Sequence, residues 1–195
     1  MRKKSHISLA RYMVENLKDE ELKHHKFSFY LGSILPDIKP SFLYKRHEMD
    51  GTFPYVSRHI RRLSEGDALI RKKKGCKYYR DLGQISHYLA DYFTFPHNAN
   101  YPGNIKDHCI YEEELKKELR AYVHSPEAVR RREKMEMHTP ADILAMIRQM
   151  HNRYLQMESV VKRDCQYIIE LCHKVVDAVL CFLESLSAAK VSVAM

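Results

Sequence analysis

The sequence predicts an all-α fold, a single domain over residues 1–195 arranged as a bundle of about seven helices. Three observations carry this. Gly and Pro number only 6 and 7, too few for the many turns of a β architecture, while helix formers such as Leu, Ala, Glu, Lys and Arg abound. Apolar residues make up 45% of 195 positions, enough for one substantial core and too few for two. Along most of the chain these residues recur at steps of three and four, the period of a helix with one buried stripe.

The first helix starts near Ser5 as N-cap, with Ile7, Ala10, Val14 and Leu17 on one face and His6 in its first turn. The tandem His24 and His25 reads as exposed helix surface. A second helix runs through KFSFYLGSIL and stops at Pro36, because the residue before a proline avoids helical geometry; Asp37 then falls in a loop. Phe53, Val56, Ile60 and Leu63 mark a third helix, closed by Gly66. The segment RKKKGCK that follows reads as a basic turn. From Tyr78 to about Phe93, Leu82, Ile85, Leu89 and Tyr92 mark a fourth helix, on which His87 and Asp91 stand one turn apart. Two prolines and two asparagines between Thr94 and Gly103 make a loop that holds His97. A fifth helix, from about Ile105 to Val123, sets His108 and Glu112 one turn apart. Thr139, Pro140 and Asp142 supply N-cap, first position and acidic third position of a sixth helix that runs through Met157. A last helix, about Ser159 to Ser187, carries Cys165, Ile169, Cys172, Val176, Val179 and Leu183 on one broad apolar face.

The formal charge of +8 favours anionic partners: a phosphate-bearing substrate, nucleic acid or an acidic membrane surface. The run RRLSEGDALIRKKKGCK fits phosphate head groups, though a basic run is more often a solvated face. Most of the 13 Tyr read as half-buried packing residues. The five Cys are odd in number and lack a CxxC, so they read as reduced, packed thiols suited to the cytosol. Arg11 and Glu15 interrupt what would be the apolar segment of a signal peptide, and the greasiest run, near Val175 to Leu183, contains Asp177. A soluble, cytoplasmic protein is expected, and nothing calls for an obligate protein partner.

Twelve His beside 25 acidic residues are a rich ligand supply for a borderline cation. A His and a carboxylate four apart on a helix point the same way and can share an ion. Random placement gives about 1.5 such pairs. Four occur: His87/Asp91, His108/Glu112, His138/Asp142 and His173/Asp177. Context separates them. His138/Asp142 has a simpler account at a helix N-terminus, and His173/Asp177 stands in an otherwise apolar helix and reads as structural. His87, Asp91, His97, His108 and Glu112 sit on two successive helices and the loop between them, so antiparallel packing can gather all five. Glu112 competes with Glu113 and Glu114, and only its one-turn offset from His108 selects it. An HD-type phosphohydrolase would need an adjacent His-Asp pair, which is absent; a ferritin-like di-iron site would need paired ExxH motifs, of which Glu21/His24 alone fits cleanly.

The run LGQISHYLADYFTFPHN followed by KDHCIYEEEL resembles the HxxxDxxxxxH and HxxxE motifs of the bacterial zinc-dependent phospholipase C family, related to the S1/P1 nucleases. LGSILPD resembles that family's Pro-Asp turn, and KRHEMDGTF the place of its next histidine. With His6, the matched blocks follow the family order over residues 5–112. The resemblance implies a multi-zinc site between the helices: one Zn2+ held by Asp37, His47, His87 and Asp91, a second by His97, His108 and Glu112, and a third shared by Asp91 and His6. Secreted members use an N-terminal tryptophan at that third ion, and this chain has no Trp, which leaves Met1 or a nearby carbonyl to approach it. Simpler accounts stand beside these assignments: His6 as a surface residue at a helix start, Asp37 as a cap after Pro36, and His59, in the basic stretch SRHIRR, as a rival to His47.

What the resemblance implies chemically is phospholipase C-like phosphodiester hydrolysis. Zinc lowers the pKa of a bound water to about 7 and so supplies hydroxide, metal pairs relieve charge on the phosphoryl oxygens, and Asp37 is the candidate general base. Phospholipid head groups, with peripheral membrane contact, are the expected partners. Two rivals remain: a nuclease or nucleotidase on the same cluster, and a non-catalytic metal-binding protein that keeps the fold.

Overall fold

The computed structural model describes residues 1–38, 47–65, 68–129, 137–158 and 160–193, with the side chains of 68–74 and 183–193 left aside. Among the described residues the chain is helical throughout and carries no strand. The helices are α1 (Lys3–Leu17), α2 (Glu20–His24), α3 (Lys26–Ile34), α4 (Met49–Glu65), α5 (Ala68–Tyr92), α6 (Ile105–Val123), α7 (Pro140–Leu155) and α8 (Val161–Val193), eight in place of about seven. The added one is α2, a single turn capped by Asp19, whose carboxylate accepts the Leu22 N–H at 2.6 Å.

α5 is the axis of the bundle and packs against α1, α3, α4 and α8. From Asp81 to Thr94 every residue but Tyr88 is buried. A helix closed in on all sides normally carries apolar residues. This one carries Tyr79, Leu82, Ile85 and Leu89 in the core, yet also Asp81, Ser86, His87 and Asp91. Those last two place chemistry at the centre of the molecule.

α3 and α5 approach closely because each offers a glycine to the other. A methyl group on Gly32 would lie 2.0 Å from the Arg80 carbonyl oxygen, and one on Gly83 would lie 2.2 Å from that of Phe29. Gly75 plays the same part toward His25, whose ring it lets in. This corrects two expectations. RKKKGCK is not a turn: α5 begins at Ala68 and runs through it, with Gly75 a point of close approach. His25 is half-buried and stacks on Tyr79 at 5.0 Å, whereas His24 is exposed as expected.

α1 begins two residues before Ser5, which is itself buried; Arg2 is the N-cap. Pro36 ends α3 as expected, but the chain continues as a 3-10 turn over Leu35–Asp37. A second 3-10 turn, Phe95–His97, structures the loop expected after α5. The bounds of α6 match the expectation, sealed by a capping box between Asn104 and Asp107. α7 has the expected Thr139–Asp142 capping box and ends at Leu155. In α8, Cys165, Ile169, Cys172, Val176 and Val179 are buried; Gly66 and Ser159 lie outside the described residues, and the side chains of Leu183 and of residues 68–74 in the basic run are among those left aside.

Candidate metal centre

α5 contributes the middle of the site. His87 and Asp91, one turn apart, face the same way and are wholly buried. The His87 Nδ1 donates to the Ser33 carbonyl at 2.8 Å, a bond made possible by the close approach of α3. That fixes the ring and turns Nε2 toward the other ligands.

The remaining groups arrive from five further segments. α1 brings His6, stacked on His87 with ring centroids 3.8 Å apart. The turn after α3 brings Asp37, and the segment that leads into α4 brings His47, two residues before Met49. The His47 Nδ1 lies 2.9 Å from Asp91 Oδ2, 3.1 Å from His87 Nε2 and 3.7 Å from Asp37 Oδ1. The turn Phe95–His97 and α6 bring the other set: Glu112 Oε1 is 3.2 Å from His108 Nε2 and 3.6 Å from His97 Nε2. Three groups thus form, in each of which the ligand atoms lie within 4.8 Å of one another: His6/His87/Asp91, Asp37/His47/His87 and His97/His108/Glu112. All eight residues singled out from the sequence fall in these groups. His87 is shared between two groups, and Asp91 Oδ2, 3.2 Å from His87 Nε2 and 2.9 Å from His47 Nδ1, stands beside the Asp37/His47/His87 group as well.

The amino group of Met1 sits among them, 2.9 Å from Asp91 Oδ1, 3.0 Å from Glu112 Oε1 and 3.0 Å from His97 Nε2. Burial works against this ammonium, but Asp91 and Glu112 outweigh it and raise its pKa above the usual range. Burial likewise opposes ionisation of Asp91 and Glu112; the terminal ammonium and the surrounding histidines reverse the balance and hold both carboxyls low. Burial lowers His6 to about 3 and lowers His97 as well. Neutral imidazoles with ionised carboxylates are the protonation states that bind a divalent metal. The Nδ1 of buried His6 has no hydrogen-bond partner and its Nε2 only approaches Asp91 Oδ1 at 3.4 Å, an arrangement that leaves a lone pair for a cation. The donor set, imidazole nitrogen with carboxylate oxygen, fits zinc. Burial raises the Asp37 pKa, so this carboxyl is the most basic of the three.

A cleft of about 1220 Å³ opens onto the cluster, and Asp37, His47, His97, His108 and Glu112 line it. Behind it stand three supports that no local spacing announces. Arg2 holds Glu113 and reaches the Cys109 carbonyl at 3.1 Å, which docks α1 on α6. The Tyr111 hydroxyl donates to buried Asp164 of α8 and accepts the Phe95 N–H at 3.5 Å, tying the His97 turn to the residue beside Glu112. Asn98, next to His97, accepts from the His151 ring of α7 at 3.0 Å. The rival assignments resolve similarly. Asp142 accepts the backbone N–H groups of His138 and Thr139, as a cap should. His173 and Asp177 are buried outside the three groups, and the Nδ1 of His59 bonds its own helix at the Tyr55 carbonyl.

No described helix is long and apolar enough to cross a membrane. Residues 5–175 match the model of a protein family described as zinc dependent phospholipase C. No curated protein and no solved structure matches the chain.

Proposed function

The chain belongs to the zinc-dependent phospholipase C family, and from that premise we propose that it hydrolyses phosphodiesters, cutting a phospholipid on the glycerol side of its phosphate. The observation that carries this reading is the convergence of three ligand groups on the wall of one open cleft. His97, His108 and Glu112 would hold one zinc, Asp37, His47 and His87 a second, and His6 with Asp91 a third. Bound there, zinc supplies an ionised water at neutral pH and takes up charge on the phosphoryl oxygens.

The protein's own residues do the rest. Ser33 keeps the His87 Nδ1 proton in place, so that Nε2 stays free as a donor. Asp37 lines the cleft and is the group to receive the proton of the attacking water; burial, by raising its pKa, improves it as a base. Asp91, shared between neighbours, offsets the positive charge gathered around it.

Elemental analysis, chelation and reconstitution test the metal part. Phosphatidylcholine and single-stranded DNA, assayed side by side on the zinc-loaded protein, test the substrate. Hydrolysis of lipid that vanishes with chelator and returns with zinc is expected. Cleavage of DNA alone would replace the reading with a nuclease, which the +8 charge suits as well. Firmly bound zinc with no hydrolysis of any phosphodiester would leave a metal-binding protein.

A further inference from the structure

His97 differs from the other two ligands of its group. His108 and Glu112 stand on α6, a helix of 19 residues, whereas His97 ends a 3-10 turn of three. Such a turn is a weak frame on its own, with few hydrogen bonds and poor geometry in those it has. A zinc that needs all three donors therefore depends on whatever holds the turn still.

The side chain that does so is Asn98, the next residue. It is buried, and its amide nitrogen meets the carbonyl oxygens of Thr94 at 3.1 Å, Tyr92 at 3.3 Å and Phe95 at 3.5 Å. One amide thus closes the turn on itself and pins it to the last residue of α5, the helix that carries His87 and Asp91. Carbonyl oxygens can be met only by the NH2 end of an amide, so its orientation is settled and its oxygen points the other way. There it accepts from Nε2 of His151 at 3.0 Å, and that nitrogen must carry the proton. His151 is itself buried in α7, edge-on to Phe93 with ring centroids 5.6 Å apart. α7 packs against α4 and α8 and supplies no residue to the three ligand groups. A helix without a ligand thus reaches the metal centre through two side chains.

We propose that Asn98 and His151 are positioning residues for one zinc, the ion of His97, His108 and Glu112. They set its affinity through the His97 turn and leave the ion of Asp37, His47 and His87 unaffected. The inference rests on the metal reading above and needs no turnover. Loss of the His151 bond does not unravel the turn, because the Tyr111 hydroxyl still accepts the Phe95 N–H.

Zinc competition against a chromophoric chelator, with elemental analysis of the dialysed full chain, reads the effect. In His151→Phe, which keeps a ring and removes the donor, one zinc is expected to bind about ten- to a hundredfold more weakly. His151→Gln, whose amide can donate to the same oxygen, should restore most of that affinity. Ile147→Ala, a core truncation one turn earlier on α7, controls for stability: it should soften the protein to urea and keep every zinc at parental affinity. In a His108→Ala background, where the same ion is already weakened, adding His151→Phe should change nothing further. The pair Asn98→Ala/His151→Phe, which strips both partners, repeats the reading should the single variant not fold. Parental affinity in His151→Phe, an equal loss in Ile147→Ala, no recovery in His151→Gln, or a further loss in the His108→Ala background would overturn the inference. A parent chain that binds no zinc removes the metal centre and this inference with it. The expected pattern with every phosphodiester left intact upholds the inference and removes the hydrolase reading.

Discussion

Asp91 is the residue on which most of the cluster leans. Both its oxygens face cationic or imidazole groups, with the buried Met1 ammonium at 2.9 Å from one and His47 Nδ1 at 2.9 Å from the other. Removing one member of a buried charge pair costs about 3–5 kcal/mol, because the other is left uncompensated. Asp91→Asn should therefore lose at least one zinc by elemental analysis and destabilise the metal-free protein by about 3 kcal/mol in urea; a variant that keeps its full zinc would refute the assignment. Asp164 behaves oppositely. Burial raises its pKa to about 6 from the ordinary 3.8. A carboxyl raised on folding favours the native state below its unfolded pKa, and that contribution is lost as pH rises through about 6. The difference corresponds to about 3 kcal/mol. Asp164→Asn should flatten the stability profile of the metal-free protein between about pH 4 and 6, measured by denaturant titration, while an unchanged slope would contradict it. At this scale the sequence was readable where covalent spacing did the work. His87/Asp91 and His108/Glu112 stand one helical turn apart, so the backbone alone aligns them. Asp37 and His47 became visible only through the order of motifs in a family. Tyr111–Asp164 and Arg2–Glu113 were invisible, because their partners lie 53 and 111 residues apart.

Among elements, the seat of the site is the contact of α3 with α5. Gly32 and Gly83 let the backbones approach until Ser33 can hold His87. Gly83→Ala would drive a methyl group against the Phe29 carbonyl, whose oxygen is backbone and cannot swing away. A cost of about 2–3 kcal/mol in urea denaturation is expected, with a larger proportional loss of zinc affinity than a core Leu→Ala of equal cost. Equal losses would mean that the glycine serves packing alone. Helices α6 and α7 were legible to within two residues, α7 because its capping box is written locally in Thr139–Asp142; α6 turns out to carry one as well, in Asn104–Asp107. α2 escaped because one turn is too short to show a period. The start of α5 escaped because a glycine among lysines looks like a turn until the ring of His25 is seen resting on it.

For the whole molecule, metal and fold are one equilibrium. The proposed ligands come from six separate segments, so zinc binds the folded chain far better than the unfolded one. At a free zinc concentration one hundred times Kd, binding adds about 2.7 kcal/mol, which for a chain of this size raises Tm by about 5–10 °C. Chelation should reverse that shift in a thermal melt, and a melting curve indifferent to chelator would remove the metal centre. Acid should do the same work as chelator. Protons compete for the imidazoles and carboxylates, so bound zinc, followed by equilibrium dialysis, is expected to fall as pH drops from 7 toward 5. All-helical character was plain from composition and period. The packing of polar residues into the middle of α5 was not, since a buried helix is ordinarily read from its apolar stripe.

Every proposed ligand lies within the first 112 residues, whereas α7 and α8 supply the clasp on Asn98, the anchor for Tyr111 and an apolar backing for α5. The chain thus divides its labour: the leading part owns the chemistry, and the trailing part keeps it dry and in register. A fragment ending after α6 would possess the complete roster of donors and still be a poor vessel for a cation, its loop unlatched and its central helix open to water.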